Sequence, residues 1–328
     1  MSVNEGLAEA APAALIGVDW GTTHLRAYRI AAHGKVLERR QSPLGISSIR
    51  NREFATALET LIGDWRNESL PVLLCGMVGS RDGWREAPYT SCPASLDQVG
   101  ANLIPIETLR GPAWIVGGIS TVDARGRHDV MRGEETQIFG TYDGSERRLV
   151  VAPGTHSKWA IVGKGTLEHF RTYMTGELYS ILRQHSTLAW GAQEGTDTAD
   201  VERSFLEGVK EAREDPDLVH SLFTVRTRSL FEGSKPGTQA AYLSGILIGS
   251  EVLSGLSRHP VDHVTVIASG SLGRLYQSAF AALGSGAVEI IEAEQAVVRG
   301  LWKLLRYLDT KLARCLLPGT AFSPSCRS

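Results

Sequence analysis

Short runs of apolar, largely β-branched residues bounded by Gly, Pro or Asp recur at Leu15–Val18, Val72–Leu74, Trp114–Val116, Leu149–Val151 and Val264–Ala268. Unbroken apolarity of this length predicts strands buried on both faces, and helical periodicity lies between several of them. That alternation predicts an α/β protein. The stretches R-A-Y-R-I (Arg26–Ile30) and K-W-A-I-V (Lys158–Val162) follow glycine-bearing turns and read as the second strands of hairpins, so the sheets are expected to be mixed.

The two turns resemble each other. Laying V-D-W-G-T-T-H (Val18–His24) over V-A-P-G-T-H-S (Val151–Ser157) pairs Val18 with Val151, Gly21 with Gly154 and Thr22 with Thr155. An apolar strand precedes each and an alternating strand follows each, which predicts an internal duplication. Two such loops facing one ligand would offer backbone N–H groups and hydroxyls, an arrangement that suits phosphate. Each loop taken alone is equally a tight hairpin turn, where glycine is also favoured.

The remaining composition narrows the partner. With 328 residues, 42% hydrophobic and 21% charged, the chain can fill one large or two ordinary cores. A formal net charge of -2 gives no basic excess for nucleic acid or a membrane surface, so neither is expected and a small-molecule partner is. Cys75, Cys92, Cys315 and Cys326 contain no C-x-x-C pair, which argues against a disulfide framework or a zinc site. The first residues carry Glu5 and Glu9 without Lys or Arg, unlike a secretory signal, and Ala240–Leu256 is broken by Ser244, Gly245, Ser250 and Glu251. A cytoplasmic location is the expectation. Oligomeric state stays open, with a homodimer as one option.

Chemistry enters at the points where the pattern breaks. Asp19 closes an apolar strand and has Ala152 as its counterpart in the second loop. A carboxylate at that place needs solvent, a cation or donors; beside a phosphate loop a hydrated Mg²⁺ fits, as do the amides of the turn itself. In V-T-V-I-A-S-G-S-L-G-R a strand enters a helix through Ser269, Gly270, Ser271 and Gly273, which presents a helix N-terminus to a ligand without the full G-x-G-x-x-G spacing. His24, His128, His156 and His169 show no metal-ligand spacing, and no Ser-His-Asp signature occurs.

D-W-G-T-T, P-G-T-H-S-K, A-S-G-S-L-G and the late A-E-Q-A-V-V-R-G (Ala293–Gly300), in that order, resemble the actin-like ATPase superfamily of sugar kinases, actin and heat-shock chaperones. Within it, C-G-M-V-G-S-R-D-G-W-R-E-A-P-Y (Cys75–Tyr89), M-R-G-E-E-T-Q-I-F-G (Met131–Gly140) and A-P-G-T-H-S-K-W (Ala152–Trp159) resemble the 2-dehydro-3-deoxygalactonokinases. The resemblance spans roughly residues 14–308. It implies two ribonuclease-H-like lobes with mixed sheets flanked by helices and ATP in the cleft between them. The first lobe, 14–146, would bind the sugar acid and be completed by a C-terminal helix at 292–308; the second, 147–291, would bind nucleotide. The tail, 309–328, lies outside the resemblance, and its P-G and S-P-S-C turns read as disorder.

The same resemblance implies Mg²⁺ at Asp19 and phosphate contacts at Gly21, Thr22, Thr23, Gly154, Thr155, Ser157 and Lys158, with adenosine at Gly270 and Ser271. The second loop lacks the acidic start usual in the superfamily, which leaves the metal to the first lobe and gives Lys158 a charge-neutralising part. Related kinases carry the proton-accepting carboxylate just before the second phosphate loop, which points to Glu134 and Glu135. Neighbours on a helix lie about 100° apart. Glu135 shares a face with Ile138 and Phe139, and partial burial would make it the more basic; alternatively Glu135 is held by backbone donors and Glu134 is the base. The substrate carboxylate calls for guanidinium, with Arg81, Arg85 and Arg132 at hand; Ser80, Arg81, Trp84 and Arg132 form the candidate substrate set. Trp84 and Tyr89 serve equally as a wall for the deoxy carbon or as core. The implied reaction is ATP-dependent phosphorylation of 2-dehydro-3-deoxy-D-galactonate. The rivals are a phosphatase, since G-E-E also resembles an exopolyphosphatase motif, and a nucleotide-sensing protein of the same superfamily.

Overall fold

The computed structural model of the chain describes residues 12–68, 70–142, 144, 146–188, 197–233, 235–259 and 263–316. In chain order the first elements are β1 (Ala13–Trp20), β2 (Leu25–Ala31), β3 (Val36–Ser42), α1 (Phe54–Ile62), β4 (Val72–Cys75), β5 (Tyr89–Ser91) and β6 (Ala94–Ser95). Then come α2 (Leu96–Ala101), β7 (Ile104–Thr108), β8 (Gly111–Ile115), β9 (Gly118–Val122), β10 (His128–Met131) and α3 (Glu134–Thr141). After these follow β11 (Arg148–Ala152), β12 (Ser157–Gly163), β13 (Thr166–Tyr173), α4 (Thr175–His185), α5 (Thr198–Glu214), α6 (Leu218–Phe231) and α7 (Pro236–Arg258). The chain ends on β14 (Val264–Ile267), α8 (Gly270–Ala282), β15 (Val288–Ile291) and α9 (Ala293–Leu316). It divides into two compact units, one holding the residues through Ser120 with Val130–Thr141 and those from Gln295 on, the other Thr121–Asp129 and Tyr142–Glu294.

In the first unit β1, β2 and β3 form an antiparallel meander, and β4 and then β8 add in parallel beside β1, giving the order β3-β2-β1-β4-β8-β7. Ile16, Val18, Leu74 and Ile115 pack the sheet against Phe54, Leu58 and Ile62 of α1 with no more than 2% exposure. In the second unit β11, β12 and β13 form the meander, and β14 and β15 add in parallel, giving β15-β14-β11-β12-β13. The two central sheets repeat one ribonuclease-H-like connectivity, so the duplication read from the two loops is a duplication of fold.

The second unit's core joins that sheet to α5, α7 and α8 through Trp159, Phe205, Val252 and Phe280. Residues Gly237–Arg258 of α7 are long and apolar enough to cross a membrane by length and composition. Leu243, Ile246 and Val252 are nevertheless fully buried within the unit, so this apolarity serves a core.

Two crossings hold α3 in place. A Cβ on Gly140 would run into the backbone of Ala296, and one on Gly300 into the backbone of Thr136. Only glycines allow α3 and α9 to approach this closely. The last helix extends to Leu316, well beyond the residue 308 read from the sequence; the rest of the expected tail, from 317 on, lies outside the described residues.

Candidate active site

In the first unit, Gly21–Thr23 forms the turn between β1 and β2, closed by Gly21 N–H donating to His24 O at 2.9 Å. The turn is backed by the segment after β3: Ile46 N donates to Gly21 O, Ser47 N and Oγ both donate to Thr22 O, and Trp20 Nε1 donates to Leu44 O. Thr22 and Thr23 remain exposed.

Asp19 sits one step back in the strand, level with Arg26 on one side and Cys75 on the other. Its side chain is 18% exposed, and burial pushes its carboxyl above the usual range against the opposing pull of Arg26. Glycine backbone packs closely beside it. Gly76 has φ +93, and a Cβ there would lie 2.8 Å from Trp20 O and 3.3 Å from Asp19 Oδ1. Gly133, with φ +108, packs against the Gly76 Cα from the other side.

Gly133 leads into α3 and its two glutamates. Glu135 is fully buried; its Oε2 accepts Gly133 N–H at 2.6 Å and its Oε1 accepts the Thr136 hydroxyl at 2.9 Å. Desolvation, reinforced by Glu134, lifts its carboxyl to about 7. Glu134 is partly exposed, with Oε2 accepting Arg132 N–H at 3.1 Å. The Cys75 thiol, pushed well up by burial and by Asp19 and Glu135, ties the two carboxylates into one electrostatic neighbourhood.

Arg132 is 8% exposed and lies over the Tyr89 ring at 4.4 Å. Its Nη2 donates to Ala87 O at 2.7 Å, while Nε and Nη1 are buried without a partner. A Cβ on Gly79 would come within 2.9 Å of Nη1, which places the guanidinium alongside Gly79 and next to Ser80, whose buried hydroxyl is also unpartnered. A guanidinium with two unspent donors near an unspent hydroxyl is suited to an oxyanion.

The other expected substrate residues are placed differently. Trp84 stacks on Phe54 at 6.1 Å and meets Trp20 edge-on at 6.3 Å, which makes it part of the core margin. Arg85 donates to Pro105 O at 2.9 Å, and Arg81 is exposed. Asp19, Gly76 and Gly133 thus meet where α3 and its two glutamates begin, while Arg85 is engaged with Pro105 O and Trp84 packs against Trp20, the residue after Asp19.

In the second unit Gly154 and Thr155 are exposed in the turn between β11 and β12. The start of α4 supports them: Glu177 N donates to Thr155 O at 3.0 Å, and a Cβ on Gly176 would collide with Gly154 O. His156 pairs with Glu177 at 2.6 Å. Ser157 and Lys158, expected as phosphate contacts, belong to β12 and are buried at 0% and 5%. The Ser157 hydroxyl is spent on Glu251, so this serine shapes the loop from beneath.

Glu251 escaped sequence reasoning. Its Oε1 accepts from Ser157 Oγ and Trp159 Nε1, both at 2.6 Å, and its Oε2 accepts from Tyr276 OH at 2.8 Å, at 3% exposure. Burial raises its carboxyl, offset by these donors. The available signal was its charge in the apolar stretch Ala240–Leu256, where a lone acid must find partners. Tyr276 also lines a largely apolar 160 Å³ cavity with Gly154, Thr175, Gly176, Tyr179 and Leu272. Gly270 and Ser271 are exposed at the start of α8, where Ser269 makes no side-chain cap. Their N–H groups are thus open to an acceptor.

The profile of the 2-keto-3-deoxy-galactonokinase family matches residues 19–304. A relative from Rhizobium meliloti (strain 1021), named probable 2-dehydro-3-deoxygalactonokinase, is 37% identical over 289 residues, covering 87% of this chain and 94% of its own. The 2-dehydro-3-deoxygalactonokinase of Escherichia coli (strain K12) is 37% identical over 292 residues, with 87% and 96% covered. A crystal structure from Sinorhizobium meliloti, provisionally designated a 2-dehydro-3-deoxygalactonokinase, superposes with a TM-score of 0.78 at 35% identity, covering 93% of this chain and 99% of its own.

Proposed function

Because the chain belongs to the 2-keto-3-deoxy-galactonokinase family, we propose that it transfers the γ-phosphoryl group of ATP to the terminal hydroxyl of 2-dehydro-3-deoxy-D-galactonate. The products are ADP and 2-dehydro-3-deoxy-6-phospho-D-galactonate. The observation that carries the sugar-acid half is Arg132, a buried guanidinium with Nε and Nη1 unspent near the unspent Ser80 hydroxyl. It supplies charge-assisted hydrogen bonding to the substrate carboxylate, roughly 1.5–3 kcal/mol per bond.

Glu134 accepts the proton of the attacking hydroxyl. Of the two carboxylates it is the one with solvent access, whereas Glu135 has none and has both oxygens engaged. Glu135 instead fixes the Gly133 turn and the first turn of α3, from which Glu134 projects. The half-buried Gly21 and the exposed Thr22 and Thr23 of the first unit's loop, and the exposed Gly154 and Thr155 of the second unit's loop, supply backbone and hydroxyl groups for phosphate oxygens. Gly270 and Ser271 take the adenosine, and the apolar cavity beside Tyr276 shelters the base.

Mg²⁺ fits the donor set. Asp19 is a shielded carboxylate with its charge only partly met by Arg26. An ion held here would take one protein carboxylate, with water and phosphate oxygens completing its shell. When bound, the ion neutralises charge on the triphosphate.

A coupled ADP-release assay over 2-keto-3-deoxy sugar acids with Mg-ATP tests this function. ADP formed with the galactonate, and far more slowly with its C4 epimer, is the expected result. No ADP above background with any of these acids would overturn it.

A further inference from the structure

A second cavity of the second unit shares no lining residue with the phosphate loop. It measures 620 Å³ and is walled by the hairpin residues Thr121–Ala124 and Arg127–Asp129, by β13 at His169–Thr172 and by the end of α7 at Arg258 and His259. Its two acids are already engaged. Asp123 pairs with Arg127 at 2.6 Å, and Asp129 accepts Thr172 N and Oγ1 at 2.8 and 2.6 Å. Arg171 and Arg258 also line it, and neither makes an ion pair among the described residues.

The same cavity is lined by a histidine with an unspent nitrogen. His259 is 8% exposed, its Nε2 is buried with no hydrogen-bond partner, and its ring stands 5.3 Å from that of His169. Burial first, then His169, Arg171, Arg147 and Arg258, press its imidazole down to about 4. Arg147 is paired with Glu168 at 3.0 Å, which leaves Arg171 and Arg258 as the unpaired cations. A buried polar atom left unsatisfied is costly, and two unpaired guanidinium groups near it are relieved by an anion.

We propose that this cavity is a binding site for a phosphate-bearing metabolite, separate from the phosphoryl-transfer site, with Arg171, Arg258 and His259 as its anchors. Two planar guanidinium forks and an imidazole offer more donors than one carboxylate can use, and a phosphate monoester accepts them on three oxygens. The cavity exceeds a bare phosphate, leaving space for the organic body that carries it.

The full chain titrated by calorimetry with inorganic phosphate and, separately, with glucose 6-phosphate, in the presence of saturating ATP, tests the site. Saturable binding of at least one probe is expected, weakened about tenfold or more in the double variant Arg171→Ala, Arg258→Ala, which leaves ATP affinity unchanged. The ring ¹⁵N resonances of His259 and His169 should shift on binding. Tighter binding of glucose 6-phosphate identifies a phosphorylated metabolite as the ligand, and equal binding identifies the phosphate group alone as what is recognised. The proposal is overturned by no saturable binding of either probe, by binding that ATP abolishes, or by binding that the double variant retains. Arg258 is exposed and Arg171 half-buried, so the double variant keeps the fold. None of these outcomes depends on the sugar-acid specificity.

Discussion

Asp19 lies directly across the β1–β2 ladder from Arg26, with its Oδ2 3.4 Å from the Arg26 Nη1. Arg26 is 46% exposed, so water screens the pairing, whereas the carboxylate bears the cost of burial. The carboxyl is accordingly raised, and the sign follows: the native state binds a proton more tightly than the unfolded chain, so stability falls as pH rises through the folded value. Asp19→Asn should keep or raise Tm at neutral pH while lowering kcat by about 10²-fold or more and abolishing the Mg²⁺ dependence of ATP binding. Thermal melts and steady-state kinetics check both.

The neighbouring glutamates should separate cleanly. Glu134→Gln is expected to lower kcat by about 10²–10⁴-fold with little change in KM or Tm. Glu135→Gln removes a carboxyl whose value is lifted from 4.5 to about 7. Wild-type stability should therefore decline between those pH values, by on the order of 3 kcal/mol at most, and the variant should lose that slope and melt higher at pH 8. Denaturation across pH 5–8 measures it. Equal kcat losses in both variants with no change in pH slope would reverse the assignment.

Arg132→Lys keeps the charge and loses the fork. KM for the sugar acid should rise about 10–100-fold while KM for ATP stays within about twofold, because lysine cannot supply two fixed donors. Ser80→Ala should move the same constant in the same direction by a smaller factor.

Glu251→Gln tests the support beneath the second loop. The amide retains one acceptor oxygen but cannot accept from Tyr276 and the Ser157–Trp159 pair together. A loss of roughly 1–3 kcal/mol in stability is expected, with a raised KM for ATP and an unchanged KM for the sugar acid. An ATP constant identical to wild type would reduce Glu251 to a purely structural role.

Much of the framework was legible along the chain. The five apolar runs became the central parallel strands and meander starts, and the paired V-D-W-G-T-T-H and V-A-P-G-T-H-S segments became equivalent hairpins. These features are local: burial fixes the apolar run, a tight turn fixes the glycine, and both survive as patterns of neighbours.

What stayed hidden depends on contacts between residues far apart in sequence. That Ser157 faces inward to Glu251, 94 positions away, and that Trp84 fills the margin of a core while Arg132 keeps two donors unspent, follow from which face each strand and loop buries. The burial of Glu135 beside a partly exposed Glu134, and the close crossing of α3 and α9 at Gly140 and Gly300, are likewise set by packing between distant segments. Composition and periodicity determined which elements form and where the loops fall. Only tertiary packing decided which polar groups are desolvated, and desolvation sets their chemistry.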